Sequence, residues 1–174
     1  MLKGERVTLR AIDASDAPTM WRWYRDHEFS VLDGNPYPSS LAAIEEFIRT
    51  LSAPSYRDVS LGIEDETGRL IGIVRLKRGT PEDRRADFGI AIEQERWNKG
   101  YGTDATRTIL RFAFREMNLH RVALGVLEYN ARARRVYEKC GFREEGRLRA
   151  ARYRDGRWCD EILMGILEDE FVGA

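Results

Sequence analysis

Trp97-Asn98-Lys99-Gly100-Tyr101-Gly102-Thr103 stands between an apolar run ending at Ile92 and a helical pattern reaching Met117, and reads as a loop handing a strand to a helix. Two glycines one residue apart let the backbone turn tightly and approach a ligand with no Cβ in the way, so several N–H groups can converge on one anion. The positive end of the following helix dipole points at the same spot. The chemistry on offer is the binding of a phosphate-bearing ligand. Just ahead lie two carboxylates, Asp87 and Glu93, on one face of an alternating stretch whose other face carries Phe88, Ile90 and Ile92. The carboxylate face is small in its middle, at Gly89 and Ala91, which leaves room for something to lie along it. Further on, Tyr137 follows Asn130 by seven residues, about two helical turns, so the two side chains share one side of a helix.

The elements that must position these groups follow from periodicity. Residues 5–12 alternate charged and apolar side chains, with Val7 and Leu9 on one face, and predict a first strand. Asp13 to Asp16 supply N-cap side chains, Pro18 suits a first turn, and Met20, Trp21 and Tyr24 recur at helical spacing up to about Arg25. Trp21, Trp23 and Tyr24 read either as core or as the wall of a pocket. Turn formers fill 33–40, and Ser40 caps a helix carrying Leu41, Ile44, Phe47, Ile48 and Leu51. Two extended runs, 59–64 and 70–76, joined across Asp65 to Gly68, predict a hairpin. After the glycine loop, Ala105, Ile109, Phe112 and Ala113 form one stripe of a helix made to pack on a sheet. Residues 121–127 read as a strand. Asn130 caps a helix bearing Ala133, Val136 and Tyr137, with Gly141 as its C′ residue. Asp155-Gly156 marks the turn of a closing hairpin. The expected architecture is α/β (α+β): one domain over 1–174, with a mixed central sheet of about seven strands flanked by helices.

With 174 residues the chain is long enough for one well-buried core. Lys plus Arg and Asp plus Glu both number 29, so no overall field argues for nucleic acid or an anionic membrane as partner. No apolar run reaches the roughly 20 residues of a membrane span, and the first residues lack the apolar core of a signal peptide, so a cytoplasmic location is expected. Cys140, Cys159, His27 and His120 have no metal-ligand spacing, and no metal site is expected.

Three local patterns together resemble the GNAT superfamily of acetyl-coenzyme A-dependent N-acetyltransferases, and within it the RimJ/RimL type that acts on ribosomal-protein N-termini. They are Asp87-Phe88-Gly89-Ile90, the loop from Trp97 to Thr103, and the run from Asn130 to Phe142. The element order agrees from end to end. The resemblance implies that Ile90, Ala91 and Ile92 pair with the pantetheine arm of acetyl-CoA. It implies that Asn98, Lys99, Gly100, Tyr101, Gly102 and Thr103 hold the diphosphate, and that Asn130 touches the pantetheine or the loop. Tyr137 is then the acid that protonates the departing thiolate. Asp87, where relatives carry Glu, and Glu93 are candidate bases, each otherwise a solvated carboxylate. His27, Glu28 and Asp33 fall in a loop at the acceptor end and are candidates for recognising a cationic amine.

The sequence departs from the family at two places. Trp97 stands where many members have Gln or Arg, although RimJ/RimL relatives commonly have an aromatic residue. Gly125 stands where some N-terminal acetyltransferases carry a catalytic glutamate, so the base must come from elsewhere. The implied activity is direct acetyl transfer to a primary amine in a ternary complex, a protein N-terminal α-amine being favoured because it loses its proton at roughly pH 7.7–8.0 rather than about 10.4 for a lysine amine. A small-amine acetyltransferase (polyamine, aminosugar or antibiotic) and a non-catalytic acyl-CoA-binding module are the alternatives. The chain is expected to act as a monomer or homodimer. The Arg132 to Arg135 cluster is expected to be ordinary surface charge.

Overall fold

The computed structural model describes residues 1–51, 58–78 and 81–172. Its framework is an eight-stranded sheet in the order β1-β2-β3-β4-β5-β6-β8-β7. The strands are β1 Leu2–Lys3, β2 Thr8–Ala11, β3 Asp58–Glu64, β4 Leu70–Arg78, β5 Arg85–Ile92, β6 Arg121–Leu127, β7 Arg143–Arg154 and β8 Arg157–Leu167. Among the described residues five α-helices accompany them: α1 Ala17–Trp23, α2 His27–Leu32, α3 Leu41–Leu51, α4 Tyr101–Arg115 and α5 Ala131–Lys139.

The eighth strand arises because the expected first strand divides. Leu2 and Lys3 pair back on Leu9 and Thr8. Between them the Asp104 carboxylate accepts from the backbone N–H groups of Glu5, Arg6 and Val7 at 3.1, 2.7 and 2.9 Å, and so takes donors that strand pairing would otherwise use. The acceptor-end loop at 26–33 is likewise a short helix. Asp26 caps it through the Phe29 N–H at 2.8 Å, and Phe29 is buried against Trp23 and Tyr24.

Helices cover both faces of the sheet. One core joins α4 and α5, through Ala105, Ile109, Leu110 and Tyr137, to Val74, Leu76, Phe88, Val122 and Ile162. The other joins Met20, Trp23, Phe29, Ile44 and Ile48 to Leu70, Ile73 and Ala91, so Trp23 and Tyr24 are core side chains. The turn at Asp155-Gly156 has φ of +46° and +74°, the primed geometry that matches strand twist.

One pairing opens the sheet. Every neighbouring pair is antiparallel except β5 and β6, which run parallel and stay in register only at Arg85↔Arg121, Ala86↔Val122 and Asp87↔Ala123. Beyond that rung β5 follows β4 as far as Ile92, while β6 follows β8 as far as Leu127. The carboxyl halves of the two parallel strands therefore diverge and leave a cleft, the part of an α/β sheet where ligands bind.

Helix α5 ends on Gly141, at φ +99°, with the N–H of Phe142 donating to the Tyr137 carbonyl at 3.0 Å. A Cβ here would stand 3.0 Å from Ile166 Cδ1. Gly141→Ala is expected to lower stability by about 1–3 kcal/mol in urea unfolding, the strain of a left-handed non-glycine residue plus this contact.

Candidate active site

The cleft holds a cavity of about 680 Å³, lined on one wall by Phe88 to Ile92 and on the other by Gly125, Val126 and Leu127. Ile90, Ala91 and Ile92 all face it with at least part of their atoms, although Ala91 also packs into the core under α1 and α3. The space beside Gly89 is open, with nothing within 4 Å of a notional Cβ.

At one end stands the start of α4. Asn98 and Gly100 both adopt positive φ, +59° and +88°. Gly100 is the N-cap and provides no side-chain cap. None of the backbone N–H groups from Lys99 to Thr103 finds an acceptor among the described residues. These are the orphan donors of a helix start, here left free for an anion. Asn98, Gly100, Gly102 and Thr103 line the cavity. Tyr101 does not: its ring is buried and its hydroxyl donates to Glu66 Oε2 at 2.8 Å. The exposed side chain of Lys99 is likewise outside the lining.

The loop is fastened by a residue whose role the sequence did not reveal. The Trp97 indole N–H donates to the Ile92 carbonyl at 2.6 Å, tying the loop to the end of β5. Arg132 lies over the same indole, 3.2 Å from the ring centroid. Arg132 is among the residues that line the cavity, and its pKa falls below the ordinary arginine value because burial strips its water. Arg132 is thus a stacked cation at the cavity and not ordinary surface charge.

Tyr137 forms the floor. Its ring is 7 % exposed and meets Phe88 edge-on at 5.9 Å and Phe142 at 5.8 Å. Its hydroxyl has no hydrogen-bond partner among the described residues, and burial pushes its pKa above the ordinary phenol value. The group therefore stays protonated at neutral pH, a donor without an acceptor. Asn130 caps α5, its Oδ1 accepting from the Ala133 N–H at 3.2 Å, and it lines the cavity as well.

The carboxylates expected to act as bases lie elsewhere. Asp87 is exposed at the last paired rung of β5 and β6, outside the cavity lining. Glu93 is buried and fully engaged: Trp23 and Arg69 donate to one oxygen at 3.2 and 3.1 Å, and Arg96 to the other at 3.3 Å. It clamps the end of β5 to α1 and to the β3–β4 turn. Among the acceptor candidates, Asp33 lines the cavity, but its carboxylate accepts from the Tyr24 hydroxyl at 2.6 Å and pairs with Arg75 at 3.2 Å. Glu28 is exposed and accepts from Gln94 at 2.9 Å. His27 lines a separate hollow of about 300 Å³ beside Trp21, Tyr24 and Tyr37. The two cysteines are free and buried, and burial pushes the Cys140 thiol up to about 11. Among the described residues no cluster of His, Cys, Asp and Glu is arranged to hold a metal ion, and no helix is long and apolar enough to cross a membrane.

An anion-ready helix start, a cleft between parting parallel strands and an unpartnered buried phenol are what an acyl-transfer enzyme needs. Residues 6–143 match the model of the acetyltransferase (GNAT) domain; the chain belongs to that family and is one of its N-acetyltransferases. It is 26 % identical to an uncharacterized N-acetyltransferase of Bacillus licheniformis, over 97 % of each chain. It is 36 % identical to the spermidine N(1)-acetyltransferase of Vibrio cholerae over 63 % of this chain and 64 % of that one. Among solved structures, spermidine N-acetyltransferase from Vibrio cholerae in complex with CoA and spermine superposes with a TM-score of 0.87 and 29 % identity, covering 96 % of this chain and 98 % of that one.

Proposed function

We propose that this protein, acting as a single domain over 1–174, transfers the acetyl group of acetyl-CoA to a primary amine by direct attack in a ternary complex, and that the acceptor is a small cationic amine of the polyamine class. The residues of the cleft fit that donor. Acceptor-free N–H groups from Lys99 to Thr103 suit a diphosphate, and the edge of β5 from Ile90 to Ile92, free of β6 beyond Asp87, suits a pantetheine amide chain. Asn130 orients the far side of the cleft. Acetyl-CoA supplies the acetyl group already activated as a thioester. Tyr137 supplies the proton that the departing sulfur needs, in surroundings where burial makes a bare thiolate costly. Asp87 and Glu93 have no part in this proton traffic.

The observation that carries the proposal is the Tyr137 hydroxyl, unpartnered in the same cavity as the helix start. The choice of a small amine is supported by the likeness, in sequence and in fold, to the spermidine enzyme of Vibrio cholerae. A second reading, a protein N-terminal α-amine, is favoured by the RimJ/RimL resemblance of the three motifs and by the lower basicity of such amines. Thiol release from acetyl-CoA, followed with spermidine, spermine, aminosugars and short peptides, separates them. Steady release with polyamines and little with peptides is expected. Tight acetyl-CoA binding without release by any acceptor would overturn the enzymatic proposal.

A further inference from the structure

The sequence lacks a glutamate at position 125, and the tertiary structure brings one there from another strand. Gly125 lies on β6, and Glu161 lies on the neighbouring β8, opposite Leu127. A Cβ at Gly125 would stand 2.5 Å from Glu161 Oε1 and 2.8 Å from its Cδ. The glutamate side chain thus occupies the space that a side chain at 125 would take, and it lines the cavity together with Tyr137. Of the two carboxylates in that lining, Asp33 has both oxygens engaged by Tyr24 and Arg75. Glu161 is 15 % exposed and accepts one bond, at Oε1 from Arg152 Nη2 at 3.0 Å. Its Oε2 has no partner among the described residues.

We infer that Glu161 receives the ammonium of the acceptor and takes its proton, standing in for the side chain that Gly125 does not provide. The inference rests on the acetyl-transfer reading above. An ammonium donates to Oε2 and passes one proton to it, which frees the nitrogen lone pair. The C–N bond then forms as the C–S bond breaks; the sulfur leaves with the bonding pair and takes the Tyr137 proton. The second proton lost by nitrogen returns to the Tyr137 oxygen, and the Glu161 proton leaves to solvent, giving amide, thiol and one proton overall. Arg152, half exposed, holds Oε1 in place only weakly because solvent screens it.

The test compares Glu161→Gln with Arg152→Gln, which breaks the same ion pair but keeps the carboxylate. With spermidine at neutral pH, Glu161→Gln is expected to lower kcat/KM about 100-fold, the range of a lost proton acceptor. Its acetyl-CoA affinity should match the wild type. In calorimetry, spermidine should bind the Glu161→Gln protein–coenzyme A complex about tenfold more weakly, the loss of one charge-assisted bond. With the acceptor carboxylate gone the amine must arrive neutral, so the variant's kcat/KM should climb about tenfold per pH unit toward the amine pKa near 10.4. Arg152→Gln should keep the wild-type pH profile. If Glu161→Gln keeps the wild-type pH profile and amine affinity, or if both variants lose rate alike with that profile unchanged, Glu161 only ties β7 to β8 and the inference fails. A wild-type protein that releases no thiol with any amine would instead refute the proposed activity, while calorimetry would still report on Glu161.

Discussion

Replacing Tyr137 by phenylalanine is expected to lower kcat by about two orders of magnitude, the lower end of what a positioned proton donor contributes, while leaving acetyl-CoA affinity and the folded state nearly unchanged. The ring supplies the packing: it is held edge-on by Phe88 and against Phe142, and phenylalanine keeps those contacts. The hydroxyl makes no hydrogen bond among the described residues, so its removal leaves no buried partner unsatisfied, the circumstance that ordinarily makes a Tyr→Phe change costly. A loss of rate therefore reports chemistry and not damage. Stopped-flow or steady-state thiol release, with calorimetric binding of acetyl-CoA alongside, measures both quantities. An unchanged kcat would remove Tyr137 from the acid role, and an equal fall in stability would make it a packing residue. Because burial raises the phenol's pKa, the protonated acid persists above the ordinary phenol range. Rate should thus not fall on the alkaline side through this group below about pH 10.

The second large effect is expected at Gly100. At φ +88° the position lies in a region that a β-branched residue enters only with strain of about 1–3 kcal/mol. Valine there either holds the strain or shifts the backbone whose N–H groups line up at the start of α4. We expect Gly100→Val to weaken acetyl-CoA binding at least about tenfold, in keeping with that range of strain, and to lower stability as well. Gly68, at φ +79° with open space around it, gives the control. Gly68→Val carries a similar conformational cost in the β3–β4 turn, outside the cavity, and should lose stability without losing affinity. If calorimetry finds Gly100→Val binding acetyl-CoA as tightly as the parent, the helix start is not where the diphosphate sits.

Much of the architecture was legible because local chemistry and tertiary context agree. The positions of α3, α4, β6 and α5 follow from apolar periodicity and caps that the structure uses, Ser40 accepting from the Ala43 N–H and Asn130 from that of Ala133. The hairpin at Asp155-Gly156 follows from the φ > 0 that those two residues tolerate. The strand at 5–12 and the loop at 26–33 depart from the pattern because side-chain contacts outbid it. Asp104 pulled Glu5, Arg6 and Val7 out of a continuous strand, and Asp26 with a buried Phe29 turned an apparent loop into α2.

The same division holds in the site. By itself the sequence determined the glycine loop, the helix behind it, and an asparagine and a phenol on one side of α5, because each depends on spacing within a single element. Only the tertiary structure decided which carboxylates meet the cavity. Asp87 and Glu93 share a strand face with the cleft's own β5, yet one ends exposed and the other is consumed by Trp23, Arg69 and Arg96. Glu161, separated from Gly125 in sequence by all of α5 and β7, reaches the cavity through the pairing of β6 with β8. A carboxylate's role is set by the partners around its oxygens, and those partners come from strands that the fold, not the chain order, makes neighbours.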